Sequence, residues 1–328
     1  MTAEVITPRR AGSYPIRIGI PFAVVMLLLA IGPLVGLPKF LQSLVVEILT
    51  FSLLALSLNV LLGYTGLVSL GHAAFFGVGG YALGIIASRF TPDIAITLPA
   101  AIAATVLLAI PVGWLSIRLS GFYFLMITFA FAQMVFVAAF RWKRLTGGSD
   151  GLIIPAPTLF GVPVLQGSQQ FYFFTLAVFA ICCVAMFAVV HSQFGRTLVG
   201  IRENTARMRA IGYNVRRYKL AAFLIGAAFS GVAGVLNALF NLFIAPESAH
   251  WTQSALVLVM VLIGGAGFFV GPIVGTAIVI ALQYWLSSYT EYWGLVLGLL
   301  FIVLISGARE GVTGLLVQIY RRSHRATP

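Results

Sequence analysis

The chain has 328 residues, 60% of them hydrophobic and only 9% charged, with a formal net charge of +12 and a mean hydropathy of +1.04. A soluble domain carries about 25% charged and about 45–50% apolar residues. A water-solvated globule is therefore excluded, and lipid must cover the outer face of the fold. The basic residues sit in the gaps between apolar runs, which reads as membrane topology and headgroup attraction; no nucleic-acid partner is expected.

In chain order, Arg9, Arg10 and Arg17 precede an apolar run, Ile18–Val35. The pattern resembles a signal peptide, but the run is long and no small-x-small cleavage site follows. It reads as a retained first helix behind a cytoplasmic tail, residues 1–17. The next spans are predicted at Leu41–Leu62, Ala73–Ala87, Ile94–Ile117, Phe122–Phe140 and Phe171–Val190. Tyr218–Leu242, Thr252–Ile263, Gly271–Leu286 and Trp293–Ser306 follow. The runs are continuous rather than alternating, so helices are expected in the membrane, not barrel strands. The predicted fold class is all-α: a polytopic bundle of about ten transmembrane helices with glycine-broken segments. It fills residues 18–316 and ends in a basic cytoplasmic tail, 317–328. Cys182 and Cys183 are neighbours within one run and point about 100° apart on a helix, so packing rather than a disulfide is expected.

Charge orients this arrangement. With both termini inside, the turn near Arg118 and the loop His191–Arg217 also face the cytoplasm. That loop holds Arg196, Arg202, Arg207, Arg209, Arg216 and Arg217 against one acid, Glu203, in keeping with the positive-inside rule. Arg141, Lys143 and Arg144 fall outside and break the pattern.

Two interior stretches are interrupted by glycine: Leu61–Gly77 (LLGYTGLVSLGHAAFFG) and Leu262–Gly275 (LIGGAGFFVGPIVG). Gly63 and Gly66 match Gly264 and Gly267 in spacing, while Gly71 and Gly271 fall one place out of step. Paired glycine-broken segments can be discontinuous helices around a translocation pathway, or simply close helix packing. Ile201, Thr205, Met208 and Ile211 lie near one helical face, predicting a short amphipathic helix that ends at Gly212. Such a helix suits docking on a partner or lying on lipid, and Glu203 favours the partner.

Several motifs in order then resemble one family. They are the run Leu56–Gly80, LTGGSDGL at Leu145–Leu152, FGR at Phe194–Arg196, AIGYNVRRYKLAAF at Ala210–Phe223, APES at Ala245–Ser248 and the stretch Leu262–Gly275. Together they look like the LivM-type permeases of ABC importers for branched-chain amino acids, with urea and short-amide importers as close relatives. The resemblance covers about Leu41 to Leu316. It implies a second, homologous permease of the LivH type, two ATPase subunits, a periplasmic solute-binding protein and an inner-membrane location. It also implies that the segment around Arg202, Glu203, Ala206, Ala210 and Gly212 couples to the ATPase. Arg207 and Arg209 depart from the family pattern, where small or acidic residues are more usual. No cofactor is expected in this chain, because its lysines, Lys39, Lys143 and Lys219, do not follow glycine as a phosphate-binding loop requires. ATP-Mg would bind the partner subunits.

Single residues can be weighed on the same basis. Gly66, Ser69, Gly71, His72, Gly264, Gly267, Asn59 and Asn237 are candidates for the pathway. For Ser69 and His72, fixing the broken stretch by hydrogen bonds is the favoured role over lining the pathway, and no second His or Cys makes a metal site. Asn59, Gln133 and Asn237 either meet solute or bond across helices. Glu47 is the acid within a long span. Ser149, Asp150 and Glu247 are candidates for docking the binding protein, or for an Asp-Gly turn and a cap. Two rival classes remain. A carrier working alone needs intramembrane ionisable groups, which are scarce here, and an intramembrane enzyme needs a catalytic set, of which Ser69 with His72 is the nearest approach. No enzyme is expected.

Overall fold

The computed structural model describes residues 32–36, 38–165 and 167–289, with 29, 292, 294–296, 298, 299, 301, 302 and 311–315. The predicted tails, 1–17 and 317–328, lie outside the described residues, as do most of the predicted first span and half of the tenth.

The long apolar runs fold into helices because each satisfies its own backbone where no water can. They are α1 (Lys39–Asn59), α2 (His72–Arg89), α3 (Ile94–Ser116), α4 (Phe122–Arg141) and the single turn α5 (Lys143–Thr146). There follow α6 (Ser168–His191), α7 (Gln193–Glu203), α8 (Thr205–Ala210), α9 (Val215–Asn241), α10 (Trp251–Gly264) and α11 (Gly271–Ser287). Among the described residues five helices are long and apolar enough to cross a membrane: Lys39–Thr65, Ile94–Ser116, Phe122–Arg141, Ser168–His191 and Val215–Asn241. The shorter apolar helices Trp251–Gly264 and Gly271–Ser287 stand at the predicted eighth and ninth spans.

Burial separates core from periphery. The apolar window of α1 is 72% buried, with Leu53, Leu54, Leu56 and Leu58 inaccessible, whereas those of α3 and α4 are 28% and 22% buried. Leu107, Trp114, Phe122 and Met134 project from α3 and α4, the faces that lipid would solvate. Helices α2 and α9 pack backbone to backbone through glycine: a Cβ on Gly79 would stand 2.7 Å from the Gly231 Cα. Small residues permit this approach, and dispersion across it replaces the hydrophobic effect that lipid cannot supply.

The bundle has two unlike ends. At one, turns are joined by two-residue strands: β1 (Leu152–Ile153) pairs antiparallel with β4 (Phe243–Ile244), and β2 (Thr158–Leu159) with β3 (Val162–Pro163). These strands lie between spans, so the prediction of helices inside the membrane stands. At the other end lie α7 and α8 with the basic residues. Cys182 and Cys183 are free and buried in α6.

The predicted single amphipathic helix is corrected to two. Asn204 adopts extended backbone (φ −154°, ψ 94°), and its Oδ1 accepts from the Arg207 N–H at 2.9 Å, ending α7 and capping α8. A side chain that offers the backbone a local bond breaks the helix although the apolar spacing continues through it. Ile201 is 1% exposed and Met208 half-buried, but Ile211 turns outward at 62% exposed.

Candidate functional site

The two glycine-broken stretches meet at the basic end. The last turns of the first hairpin's descending helix, Val60–Thr65, widen to π geometry and stop at Gly66, which is left-handed at φ +74°. In the second hairpin α10 stops at Gly264, and the chain turns through Gly265 (φ +110°) and Gly267 (φ +87°) into α11. Gly66 and Gly267 thus hold matching positive φ, which a residue with a Cβ adopts only at a cost. Asn59 stitches the two: its Oδ1 accepts the Gly267 N–H at 3.0 Å, and its Nδ2 donates to the Phe268 carbonyl at 3.0 Å. A Cβ on Gly63 would come within 2.5 Å of the Gly267 nitrogen. Gly264 packs on α11, and Thr313 donates to its carbonyl.

Arg202 closes this crease. It stands on the last turn of α7 and donates to the Gly63 carbonyl, one of the helix-end acceptors that the backbone leaves unpaired. Two neighbours on α7, Leu198 and Ile201, are each 1% exposed and hold the helix against the bundle. Glu203, Ala206, Ala210 and Gly212 are exposed beyond it, as are Arg207 and Arg209.

Ser69, Gly71 and His72 form a second cluster, where α2 begins inside the protein rather than at a surface. Its opening backbone groups are met by hydroxyls. The Gly71 N–H donates to Ser69 Oγ (3.2 Å), the Ala73 N–H to Ser254 Oγ (2.8 Å) and the Leu70 N–H to Thr128 Oγ1 (3.3 Å). Ser230 Oγ donates to the His72 carbonyl at 2.8 Å, and His72 Nδ1 lies 3.4 Å from Ser69 Oγ. Irregular backbone at such depth persists only when protein groups satisfy it. Thr128, Ser230 and Ser254 were not singled out from sequence, since a hydroxyl within an apolar run does not by itself reveal its partner. His72 and Ser69 are fully buried.

Asn237 does not join either cluster. It sits half-buried one turn before the end of α9, where its carbonyl accepts from Asn241 Nδ2 at 2.9 Å. At the strand end, Ser149 and Asp150 are exposed and bond to each other at 3.0 Å. Their loop is more than an Asp-Gly turn: Gly147, Gly148 and Gly151 all have positive φ, and a Cβ on Gly151 would stand 2.6 Å from the Ile244 carbonyl. Glu247 occupies the short turn Pro246–Ala249, against which Gly77 of α2 packs. Glu47 accepts from the Tyr284 hydroxyl at 2.6 Å. Among the described residues no three His, Cys, Asp or Glu side chains gather as a metal site.

A bundle whose glycine-broken hairpins meet beneath a basic, two-helix segment is compatible with a membrane permease. Residues 40–305 match the family described as the permease component of branched-chain amino acid transport systems, and the chain belongs to that family. Among its relatives is the high-affinity branched-chain amino acid transport system permease protein LivM of Escherichia coli K12. It is 31% identical over 322 residues, covering 89% of this chain and 74% of that protein. A probable LivM of Methanocaldococcus jannaschii is 26% identical, covering 83% of this chain and 89% of the relative. LivH of Escherichia coli K12 is 23% identical, over 81% of this chain and 91% of the relative. No solved structure matches.

Proposed function

We propose that this chain is one permease subunit of an ABC importer that moves leucine, isoleucine and valine across the inner membrane. In this reading about ten helices span the bilayer, both termini are cytoplasmic and α7–α8 face the cytoplasm. The chain pairs with a second, homologous permease; two ATPase subunits bind ATP-Mg; a periplasmic binding protein delivers solute at the strand end. The observation that carries the reading is the seating of a basic, partly detached segment directly on the crease between two broken hairpins. Force applied to that segment reaches the membrane part where its two broken stretches meet.

The mechanism is alternating access, in which helix pairs rock about a central path. Closure of the ATPase pair presses on α8, and just beyond it Ile211 and Tyr213 are exposed between Arg207, Arg209, Arg216 and Arg217. Those arginines call for an acidic rim around the ATPase groove. The broken hairpins then shift together, because Asn59 ties one to the other. Buried hydroxyls at the start of α2 keep its backbone satisfied as they do so.

The test is reconstitution in vesicles with the partner subunits and labelled leucine. ATP-dependent uptake is expected, with valine and isoleucine competing and urea or acetamide failing to compete. Removal of Glu203–Gly212 should leave the chain in the membrane but abolish uptake and co-purification of the ATPase. Uptake that persists after that deletion, or that runs without ATP, rejects the reading.

A further inference from the structure

We infer that Arg202 is a positioning residue that works inside this chain, carrying movement of the cytoplasmic segment to both broken hairpins at once. This rests on the importer reading above and assigns a different partner to Arg202 than the ATPase surface.

The argument is geometric. Arg202 bonds the Gly63 carbonyl of the first hairpin. A Cβ on Gly66 would stand 3.0 Å from Arg202 Cγ, and one on Gly267, in the second hairpin, 3.1 Å from Nη1. The side chain, exposed along its outer side, thus lies against both walls of the crease, and the missing Cβ atoms are what make room for it. The rest of α7 is tied down by Leu198 and Ile201. Asn204 then breaks the chain, leaving α8 outside. Helix α8 is the part a partner can reach, α7 is the rigid arm, and Arg202 is its tip. Its planar guanidinium fits a flat crease and holds a carbonyl by a charge-assisted bond, which a lysine of similar charge does less well.

The experiment uses the full complex in vesicles and reads labelled leucine moved per ATP hydrolysed. Arg202→Gln is expected to lower that ratio about tenfold or more, as loss of a charge-assisted bond predicts. Arg202→Lys should fall between it and the unaltered protein. A ratio unchanged in both variants overturns the inference, and so does failure of both variants to assemble, which would make Arg202 a folding residue. Loss of ATP dependence in the unaltered complex would instead overturn the importer reading.

Discussion

The two ends of the bundle solve one problem, turning a chain between membrane helices, with different chemistry. At the strand end the turns are joined by backbone pairs that, among the described residues, the other end lacks: Leu152–Ile153 on Phe243–Ile244, Thr158–Leu159 on Val162–Pro163, and the Ile154 N–H on the Leu242 carbonyl at 2.9 Å, with Thr146 Oγ1 donating to the Ala139 carbonyl at 2.6 Å beside them. Its charges nearly balance, with Lys39, Arg89, Arg141, Lys143 and Arg144 against Glu47, Asp93, Asp150 and Glu247. At the basic end the turns are held by side chains, Asn59, Arg202, Asn204 and Asn214. There, among the described residues, Arg118, Arg196, Arg202, Arg207, Arg209, Arg216, Arg217 and Lys219 face one acid, Glu203. A backbone zipper fixes shape, whereas single side-chain grips can be exchanged as the structure moves. The three basic residues Arg141, Lys143 and Arg144, anomalous by sequence, are diluted at their own end by four acids, so among the described residues the two ends still differ in charge.

The comparison can be broken most severely at α8. Replacing Arg207 and Arg209 by Glu should lower uptake by about a hundredfold or more, because like charges across an interface cost several kcal/mol. The same reversal of Lys143 and Arg144 should leave ATPase co-purification untouched. Pull-down of the ATPase subunits checks both; equal loss from either pair would erase the distinction between the ends.

A smaller effect is expected at Asn59. Asn59→Ala removes two bonds between the hairpins and should cost about 1–3 kcal/mol in stability, read as a lower unfolding midpoint in detergent. Asn237→Ala, on the same scale, should cost less, since it removes only an exposed 3.3 Å bond from Asn241 Nδ2 to the Asn237 Oδ1.

The smallest belongs to Arg89, which donates to the Arg144 carbonyl at 2.6 Å on an exposed face. Arg89→Ala should change stability by less than about 1 kcal/mol, because water replaces the donor. A large loss there would mean that the strand end too depends on single side-chain grips.

Sequence and structure agree where the physics is repetitive. Spans such as Ile94–Ile117 and Phe122–Phe140 were legible to within a residue or two, since a continuous apolar run leaves the backbone no alternative to a helix. The glycine spacing in Leu61–Gly77 and Leu262–Gly275 pointed to the two stretches that meet. The bend at Asn204 was not legible, because Ile201, Thr205 and Met208 keep helical spacing straight through it. Nor were the hydroxyl partners of α2. Thr50 and Thr105 bond carbonyls four residues back in their own helices, and nothing local distinguishes them from Ser254, which serves another helix 181 residues away in the chain. The resemblance assigned Arg202 to a partner; its contact with the crease was not legible, because it needs Gly63 and Gly66 of one broken stretch and Gly267 of the other.

The capped residue between α7 and α8 has one more consequence. Beyond Asn204 only a short stretch, 205–212, intervenes before the turn into α9, and no residue of α8 is buried. If α8 docks a motor as proposed, that stretch is a detachable adaptor: drift within it would retune which motor is accepted while the lipid-embedded part evolves at its own pace.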